Sequence, residues 1–152
     1  MTARAAAHGA FAIERTYDAA PNRVFAAFAT EEGKARWFSA PNDQWTLVKR
    51  AFDFRVGGRE QLSGRWKDSG VVSDCQIHYW DIIENERIIY SYEMFQDGVK
   101  ISVSLATLEF KPAGRGTRFI LNESGVYLDG FEDGGGREHG TAHLIDLMGA
   151  SL

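Results

Sequence analysis

Apolar and polar residues alternate with a period of two along most of this chain, a pattern that predicts β-strands. The stretch from Phe11 to Tyr17 predicts a first strand. From Trp45 onward the pattern predicts six more, at residues 45–55, 59–66, 71–83, 87–96, 99–111 and 116–124. Because the turns between them are short and rich in Gly, Asn and Asp, we expect an antiparallel meander.

Helical spacing of apolar residues interrupts this pattern in two places. Pro21 suits the first turn of a helix, and a second short helix, Glu31 to Trp37, follows it. Near the C-terminus a glycine-rich loop at 129–136 precedes a long helix from Arg137 onward. The residues of that helix that recur at helical spacing are Thr141, Ala142, Leu144, Ile145, Met148 and Leu152.

The order of elements is therefore one strand, two short helices, six strands and a long helix. The characteristic segments are Ala20-Pro21, Val24-Phe25, Trp37-Phe38, Asp53-Phe54-Arg55-Val56-Gly57-Gly58, Arg87-Ile88-Ile89-Tyr90 and Gly116-Thr117-Arg118. Together they resemble the START-like (SRPBCC) superfamily, in the branch of proteins like the activator of a heat-shock chaperone ATPase. The resemblance implies an α+β helix-grip fold, in which a curved antiparallel sheet surrounds the long C-terminal helix over an apolar cavity.

The resemblance also implies a single START-like domain over residues 10–152, behind a flexible N-terminus at 1–9. Within that domain the pair Gly57-Gly58 predicts a tight reversal, where the backbone has positive φ or approaches another chain segment closely. Family members commonly carry Gly-Trp in the last helix, whereas this chain has Gly140-Thr141. A large ring is therefore missing on the side where the resemblance implies a cavity.

Composition narrows the classes of partner. The 152 residues carry a formal net charge of -4 and contain no basic run, which argues against nucleic acid and anionic lipid as partners. No apolar run approaches the ~20 residues needed to span a bilayer, and no signal peptide is recognisable, so we expect a cytoplasmic protein without membrane contact. The single cysteine, Cys75, excludes an internal disulfide and a cysteine-built zinc site.

Alternation assigns the inward-facing residues once one of them is placed. The resemblance points Phe110 toward the helix, and Ser102, Ser104, Ala106 and Leu108 then share its face. Because small residues on a concave sheet leave room, we expect a cavity at the Ser102 end. Parity assigns the following residues of the other strands to the same face: Glu60, Leu62, Trp66, Gln76, His78, Trp80, Ile82, Ile88, Tyr90, Tyr92, Met94, Phe119, Leu121 and Glu123.

A lining that is mostly apolar with a few polar groups is typical of a small-molecule pocket. We expect it to bind a small apolar or aromatic molecule without a cofactor. The candidate ligand-binding residues are Trp37, Phe38, Glu60, Trp66, His78, Trp80, Tyr90, Tyr92, Ser102, Ser104, Phe119, Leu144 and Met148. The alternative for each aromatic residue is an ordinary core position. An inward Glu60 should pair with His78, a tyrosine or an arginine, or lie at the cavity mouth in water.

The sequence signal for catalysis is weaker than the signal for ligand binding. Glu60 and His78 are candidates for an acid-base pair of a polyketide cyclase or aromatase, with a tyrosine in support. His139 and His143 lie four residues apart, but no Glu directly follows His139, and we predict no metal site. We favour a binding protein over this enzyme, and over a third alternative, a stress-response co-chaperone that activates an ATPase.

The outward face of the predicted sheet is unusually apolar. Parity points Ile101, Val103 and Leu105 outward, and the neighbouring strands add Cys75, Ile77, Tyr79 and Ile89. A solvated antiparallel face would alternate to polar residues. The pattern therefore predicts a homodimer through this face, unless a helix or loop covers it or the register differs by one residue.

Overall fold

The computed structural model describes residues 4–132 and 134–152. Its elements in chain order are β1 (Ala6–Tyr17), α1 (Pro21–Ala29), α2 (Glu31–Ala35), β2 (Trp45–Phe52), β3 (Arg59–Trp66), β4 (Val72–Ile83), β5 (Arg87–Gln96), β6 (Val99–Ala113), β7 (Gly116–Leu128) and α3 (Gly134–Ala150). The strands form one seven-stranded antiparallel sheet in the order β1-β7-β6-β5-β4-β3-β2. The predicted α+β helix-grip architecture is confirmed.

Helix α1 holds the sheet through aromatic packing. Pro21 begins the helix, and Phe28 reaches the rings of Phe110 on β6 and Phe119 on β7, with centroids 5.6 and 5.5 Å away. All three side chains are buried. Removing one such ring from a core costs about 3–5 kcal/mol, so this contact is sufficient to fix α1 over the sheet. None of the helices in the described part of the chain is long and apolar enough to cross a membrane.

The double glycine meets both requirements predicted for it. Gly57 has a φ of +81°, and its N–H donates to the carbonyl of Tyr79 over 2.8 Å. A Cβ atom at Gly58 would lie 2.1 Å from the carbonyl oxygen of Asp53. Gly57 therefore supplies the left-handed conformation and a hydrogen bond to β4, and Gly58 allows the close approach of backbone within the turn.

Two boundaries differ from the sequence prediction because strand pairing and helix packing override local propensity. β1 begins at Ala6 and pairs with β7 from there, so residues 6–9 of the predicted flexible N-terminus belong to a strand, while residues 1–3 lie outside the described residues. Helix α3 begins at Gly134 and includes part of the predicted loop 129–136, of which residue 133 lies outside the described residues.

A β-bulge in β4 reverses the inward and outward faces of this strand. Tyr79 pairs with Tyr90 and Asp81 with Ile89, which leaves Trp80 as an extra residue. Before the bulge, Tyr79 points inward and is 1% exposed, whereas Trp80 is 55% exposed. Strict alternation assumes an unbroken ladder, and a bulge breaks that assumption.

The inward assignment of Gln76, His78 and Trp80 is therefore wrong. Ile82 lies beyond the bulge and packs against the core as predicted. The outward assignment of three other β4 residues is wrong for the same reason: Cys75, Ile77 and Tyr79.

The outer face of the sheet has part of the exposed apolar surface that the sequence predicted. Val103 and Leu105 on β6 are 42% and 47% exposed. Ile101 is only 3% exposed and therefore adds nothing to the exposed apolar surface of this face. It lies at a second irregularity, in which Met94 pairs with Ser102 while Phe95 pairs with Lys100. An open depression of about 640 Å³ runs beside Val103 and Leu105 on this face.

Candidate functional site

A cavity of about 900 Å³ lies between the inner face of the sheet, the segment that follows α2, and α3. Its volume falls within the range of about 300–1,000 Å³ that is usual for small-molecule sites. The aromatic residues along its wall are Trp37, Phe38, Trp45, Trp66, Tyr90 and Tyr92. Helix α3 closes the opposite side with Arg137, Thr141 and Leu144.

Internal hydrogen bonds and packing hold the indole rings of this wall in place. Trp37 donates its ring N–H to the carbonyl of Ala27 over 2.9 Å, and Trp66 donates to the hydroxyl of Ser73 over 2.9 Å. The ring of Trp45 lies directly on Gly64, where an added Cβ would come within 1.7 Å of an indole carbon. The apolar wall is therefore ordered before any ligand enters.

One buried polar cluster lies at the α2 side of the cavity. Lys34 Nζ donates to Glu60 Oε1 over 2.9 Å, and the hydroxyl of Tyr79 donates to the same oxygen over 2.5 Å. Lys34 and Glu60 are 4% and 3% exposed, and the Lys34 ammonium lies 4.8 Å from the ring centre of Phe38. Burial, and then the charge of Glu60, raise the pKa of Tyr79, which keeps its hydroxyl protonated as a donor.

A second buried cluster centres on Arg137 at the start of α3. Its guanidinium binds Glu132 in a bidentate pair, Nε to Oε1 over 2.7 Å and Nη2 to Oε2 over 2.5 Å. It also donates to the hydroxyls of Tyr92, Ser102 and Ser104, over 3.0, 2.8 and 3.4 Å. The small residues of β6 thus make room for an arginine, and the Ser102 end of the sheet holds this side chain rather than open space.

Glu123 on β7 extends this cluster into the cavity wall. It accepts a hydrogen bond from the hydroxyl of Tyr92 at Oε2, over 2.7 Å, and is 4% exposed. Burial raises the pKa of Glu123 to about 7, against the opposing effects of the Tyr92 hydrogen bond and the charge of Arg137. Near neutral pH this carboxyl group can therefore accept or donate a hydrogen bond.

Tyr90 presents a hydroxyl group to the same part of the cavity. Its ring centre lies 6.0 Å from that of Tyr92, and among the described residues nothing hydrogen-bonds to its hydroxyl. The oxygen nevertheless remains open to the cavity space. Burial, and then the charge of Glu123, raise the pKa of Tyr90 well above its usual range, so the hydroxyl is uncharged.

The structure separates the predicted ligand-binding residues into four groups. Those that line the cavity are Trp37, Phe38, Trp66, Tyr90, Tyr92 and Leu144. Those that lie behind the lining, bonded to Lys34 or Arg137, are Glu60, Ser102 and Ser104. Phe119 and Met148 belong to the core. His78 and Trp80 lie on the outer face, where their rings stack 4.1 Å apart.

Because His78 is on the outer face, the predicted acid-base pair of Glu60 with His78 is wrong. Glu60 is inside, as predicted, and pairs with Tyr79 and Lys34. Within the described ranges, no three His, Cys, Asp or Glu side chains are grouped closely enough to hold a metal ion.

Lys34, Arg137 and Cys75 are among the residues of the cavity wall that sequence reasoning missed. Lys34 and Arg137 carry charges that are ordinarily solvated, and the partners predicted for an inward Glu60 were His78, a tyrosine or an arginine rather than a lysine. Cys75 lines the cavity because of the bulge in β4. Burial, followed by the charge of Glu60, raises the pKa of the Cys75 thiol to about 12, so the group remains an uncharged thiol.

Comparisons with known structures find the same fold in bacterial proteins. A protein from Rhizobium loti is 36% identical, with 97% of this chain and 99% of that chain covered and a TM-score of 0.89. An uncharacterized protein from Rhizobium leguminosarum is 37% identical, with 99% and 97% covered and a TM-score of 0.92. A protein from Chromobacterium violaceum, 21% identical over 93% and 94%, shares the fold with a TM-score of 0.77.

A comparison with curated proteins finds no match. The sequence profile described as "Activator of Hsp90 ATPase homolog 1-like protein" matches residues 18–152, which is nearly the whole chain. This range includes α1, α2, the strands that carry the cavity wall, and α3. The chain therefore belongs to the Activator of Hsp90 ATPase homolog 1-like family, within the START-like (SRPBCC) superfamily whose helix-grip fold it has.

Proposed function

We propose that this protein binds a small hydrophobic or aromatic molecule in the cavity between the sheet and α3. The observation that carries the proposal is the cavity of about 900 Å³ with its ordered aromatic wall. Membership of a superfamily of ligand-binding domains supports the general class of function. The few polar groups of the wall would orient the ligand, as is usual in such sites.

Apolar burial is sufficient for measurable binding. A planar molecule that buries about 200 Å² of apolar surface gains about 5 kcal/mol at ~25 cal/mol per Å². The entropic cost of association reduces this gain, and ordered rings reduce that cost. Reporter molecules should therefore be titrated over the micromolar to millimolar range.

Thr141 provides the test, because it lies on α3 and lines the cavity. The Thr141→Trp variant should fill the space with an indole ring and abolish binding of a neutral fluorescent reporter, N-phenyl-1-naphthylamine. The matched control is His139→Trp, an exposed position of the same helix that is outside the cavity lining. A folded Thr141→Trp variant that binds the reporter as well as the parent protein would reject the site.

A second candidate function is proton transfer of the cyclase type. The position of Glu123 favours this residue as the base, in place of the acid-base pair of Glu60 and His78. In this reaction the Glu123 carboxylate would take a proton from the carbon beside a carbonyl group and become a carboxylic acid. The hydroxyl of Tyr90 would donate a hydrogen bond to the enolate oxygen formed. A base is most effective when its pKa is near the working pH, and that of Glu123 is about 7.

Hydrogen exchange tests this second candidate. With an aromatic ketone in D₂O, NMR should show deuterium entering the carbon beside the carbonyl faster with the protein than with buffer, and Glu123→Gln should remove the difference. Exchange at the rate measured in buffer would reject catalysis of proton transfer but would not count against the proposal of ligand binding. The ATPase activation named in the family's description is not part of our proposal, because the observation that supports a function here is an internal cavity.

A further inference from the structure

The buried charges along the cavity leave no cation for an anionic ligand. The ammonium of Lys34 binds Glu60, and the guanidinium of Arg137 binds Glu132 with both carboxylate oxygens. Glu123 is an additional carboxyl group without a cation directly bonded to it in the described structure. An anion placed in the cavity would thus find no unmatched positive charge among these buried groups.

Two other ionisable residues lie along the cavity lining, Arg36 and His143. Both are exposed, so water and salt screen their charges. They therefore do not change the charge balance in the buried part of the cavity.

Two side chains with unused hydrogen-bonding capacity lie close together in the cavity wall. Tyr90 on β5 and Glu123 on β7 both pair with Ala106 of the strand between them, so they lie at one level of the sheet on either side of a methyl group. Among the described residues, only one oxygen of Glu123 accepts a protein hydrogen bond, from Tyr92, and the hydroxyl of Tyr90 has no protein partner. The influence of the Glu123 charge on the pKa of Tyr90 agrees with this proximity.

A ligand hydroxyl group can satisfy both residues at once. It can donate to an oxygen of Glu123 while it accepts from the hydroxyl of Tyr90. If Glu123 is protonated, the same hydroxyl can accept from its carboxylic acid. An ether or ketone can only accept, and leaves an ionised Glu123 unsatisfied.

Resting on the function proposed above, we propose that the ligand is an uncharged aromatic molecule with a hydroxyl group, and that this hydroxyl lies between Tyr90 and Glu123. The aromatic part of the molecule occupies the space along the indole rings. The class includes phenols and fused-ring aromatic alcohols. Aromatic carboxylates and sulfonates are excluded from it by the matched charges.

Three naphthalene probes of similar size test this class: 2-naphthol, 2-methoxynaphthalene and 2-naphthoate. At pH 7 a phenolic hydroxyl, with a pKa of about 10, is uncharged. Calorimetric titration should show that 2-naphthol binds about three- to tenfold more tightly than 2-methoxynaphthalene, which is the size expected for a hydrogen bond. The anion 2-naphthoate should bind more weakly than both.

The Tyr90→Phe variant should weaken the binding of both 2-naphthol and 2-methoxynaphthalene, because the oxygen of either probe accepts a hydrogen bond from the Tyr90 hydroxyl. The preference for 2-naphthol should remain, because it comes from donation to Glu123. The variant should fold normally, because the removed hydroxyl has no protein partner among the described residues. The control is Tyr17→Phe, whose hydroxyl makes one 3.5 Å contact with the carbonyl of Ile145 and lies outside the cavity lining. That variant should bind both probes as tightly as the parent protein does.

The outcomes separate the two proposals. Equal binding of 2-naphthol and 2-methoxynaphthalene, both abolished by Thr141→Trp, would overturn the hydroxyl inference and leave the binding cavity intact. Tighter binding of 2-naphthoate would overturn the inference of an uncharged ligand. Failure of all three probes and of N-phenyl-1-naphthylamine would reject both proposals.

Discussion

Tyr92 on β5 donates its hydroxyl hydrogen to Glu123 on β7 over 2.7 Å, although β6 runs between these two strands. The contact is possible because β6 presents only Ser104 and Ala106 at this level of its inner face. Arg137 on α3 donates to the same tyrosine oxygen over 3.0 Å. A row of small residues therefore lets one polar cluster connect three strands to the C-terminal helix.

The titration of Glu123 should make the stability of the protein fall as pH rises from about 4.5 to 7. Its pKa in the folded state is about 7 and its ordinary value is 4.5, so over this window the folded protein holds a proton that the unfolded chain releases. The Glu123→Gln variant has no ionisable group at this position and should therefore not lose this stability as the pH rises. Relative to the parent protein it should gain up to about 3 kcal/mol in free energy of unfolding between pH 5 and pH 8.

Urea denaturation at pH 5, 6, 7 and 8 measures this difference. The control is Glu14→Gln, since a hydrogen bond from Arg118 lowers the pKa of Glu14, so that its contribution to stability is lost toward acidic pH rather than as the pH rises. The difference in free energy of unfolding between Glu14→Gln and the parent protein should stay constant from pH 5 to pH 8. A constant offset for Glu123→Gln as well would contradict the raised pKa of Glu123.

The buried pair of Lys34 and Glu60 should show strong energetic coupling. Lys34→Met leaves the Glu60 carboxylate buried without its cation, which should cost about 3–5 kcal/mol of stability. Adding Glu60→Gln removes the uncompensated charge and keeps an acceptor for Tyr79. The double variant should therefore be more stable than the sum of the single effects predicts.

A double-mutant cycle on an exposed pair provides the comparison for this coupling. Arg87 and Asp81 are bonded at the surface, and the cycle with Arg87→Met and Asp81→Asn should give at most about 1 kcal/mol. Equal coupling energies in the two cycles would show that Lys34 and Glu60 are hydrated in solution.

Loss of the Arg137 side chain should loosen the start of α3. Arg137→Met removes the bidentate contact with Glu132 and the bonds to Tyr92 and Ser102, and we expect a cost of at least about 3 kcal/mol. Amide hydrogen exchange should accelerate in the first turns of α3. It should stay slow around the buried Met148 near the end of this helix.

Arg15→Met is the matched control for this helix, because Arg15 binds Asp146 of α3 at an exposed site. It should cost no more than about 1 kcal/mol. If Arg137→Met had an equally small effect, the cluster around Arg137 would not anchor the helix.

The homodimer stays a prediction, carried by the exposed Val103 and Leu105 with the exposed Trp80 on the same face. We expect the parent protein to have the mass of a dimer in light scattering after size exclusion at micromolar concentration. Val103→Glu should shift it to a monomer, because a charge at an apolar contact must be desolvated on association. A monomeric parent protein would contradict the prediction.

Local patterns were enough to predict the order of elements and the face of each uninterrupted strand. Tyr92, Ser104 and Glu123 point inward as alternation predicts, since their strands pair without a slip at these positions. Gly57 has the positive φ that its sequence context required. These features depend on neighbours in the sequence, and a period of two or 3.6 records them directly.

The identity of the buried ionic partners was not predictable in this way. Glu60 inside a cavity required a partner, but the sequence could not indicate that Lys34, 26 residues away, would supply it. In the same way, the raised pKa of Glu123 depends on how completely three strands and α3 exclude water from it. Desolvation and ion pairing are properties of the packed chain and leave no periodic signal.

By itself, the sequence determined the helix-grip order of elements, the turn at Gly57 and the small inner row of β6. The tertiary structure alone decided that Trp80 is an extra residue in β4, which moves His78 to the outer face and Cys75 into the cavity. It also decided that Arg137 fills the Ser102 end of the sheet. The physical reason is that strand register and ion pairing are contacts between distant segments, whereas sequence periodicity reports only the conformation of each segment.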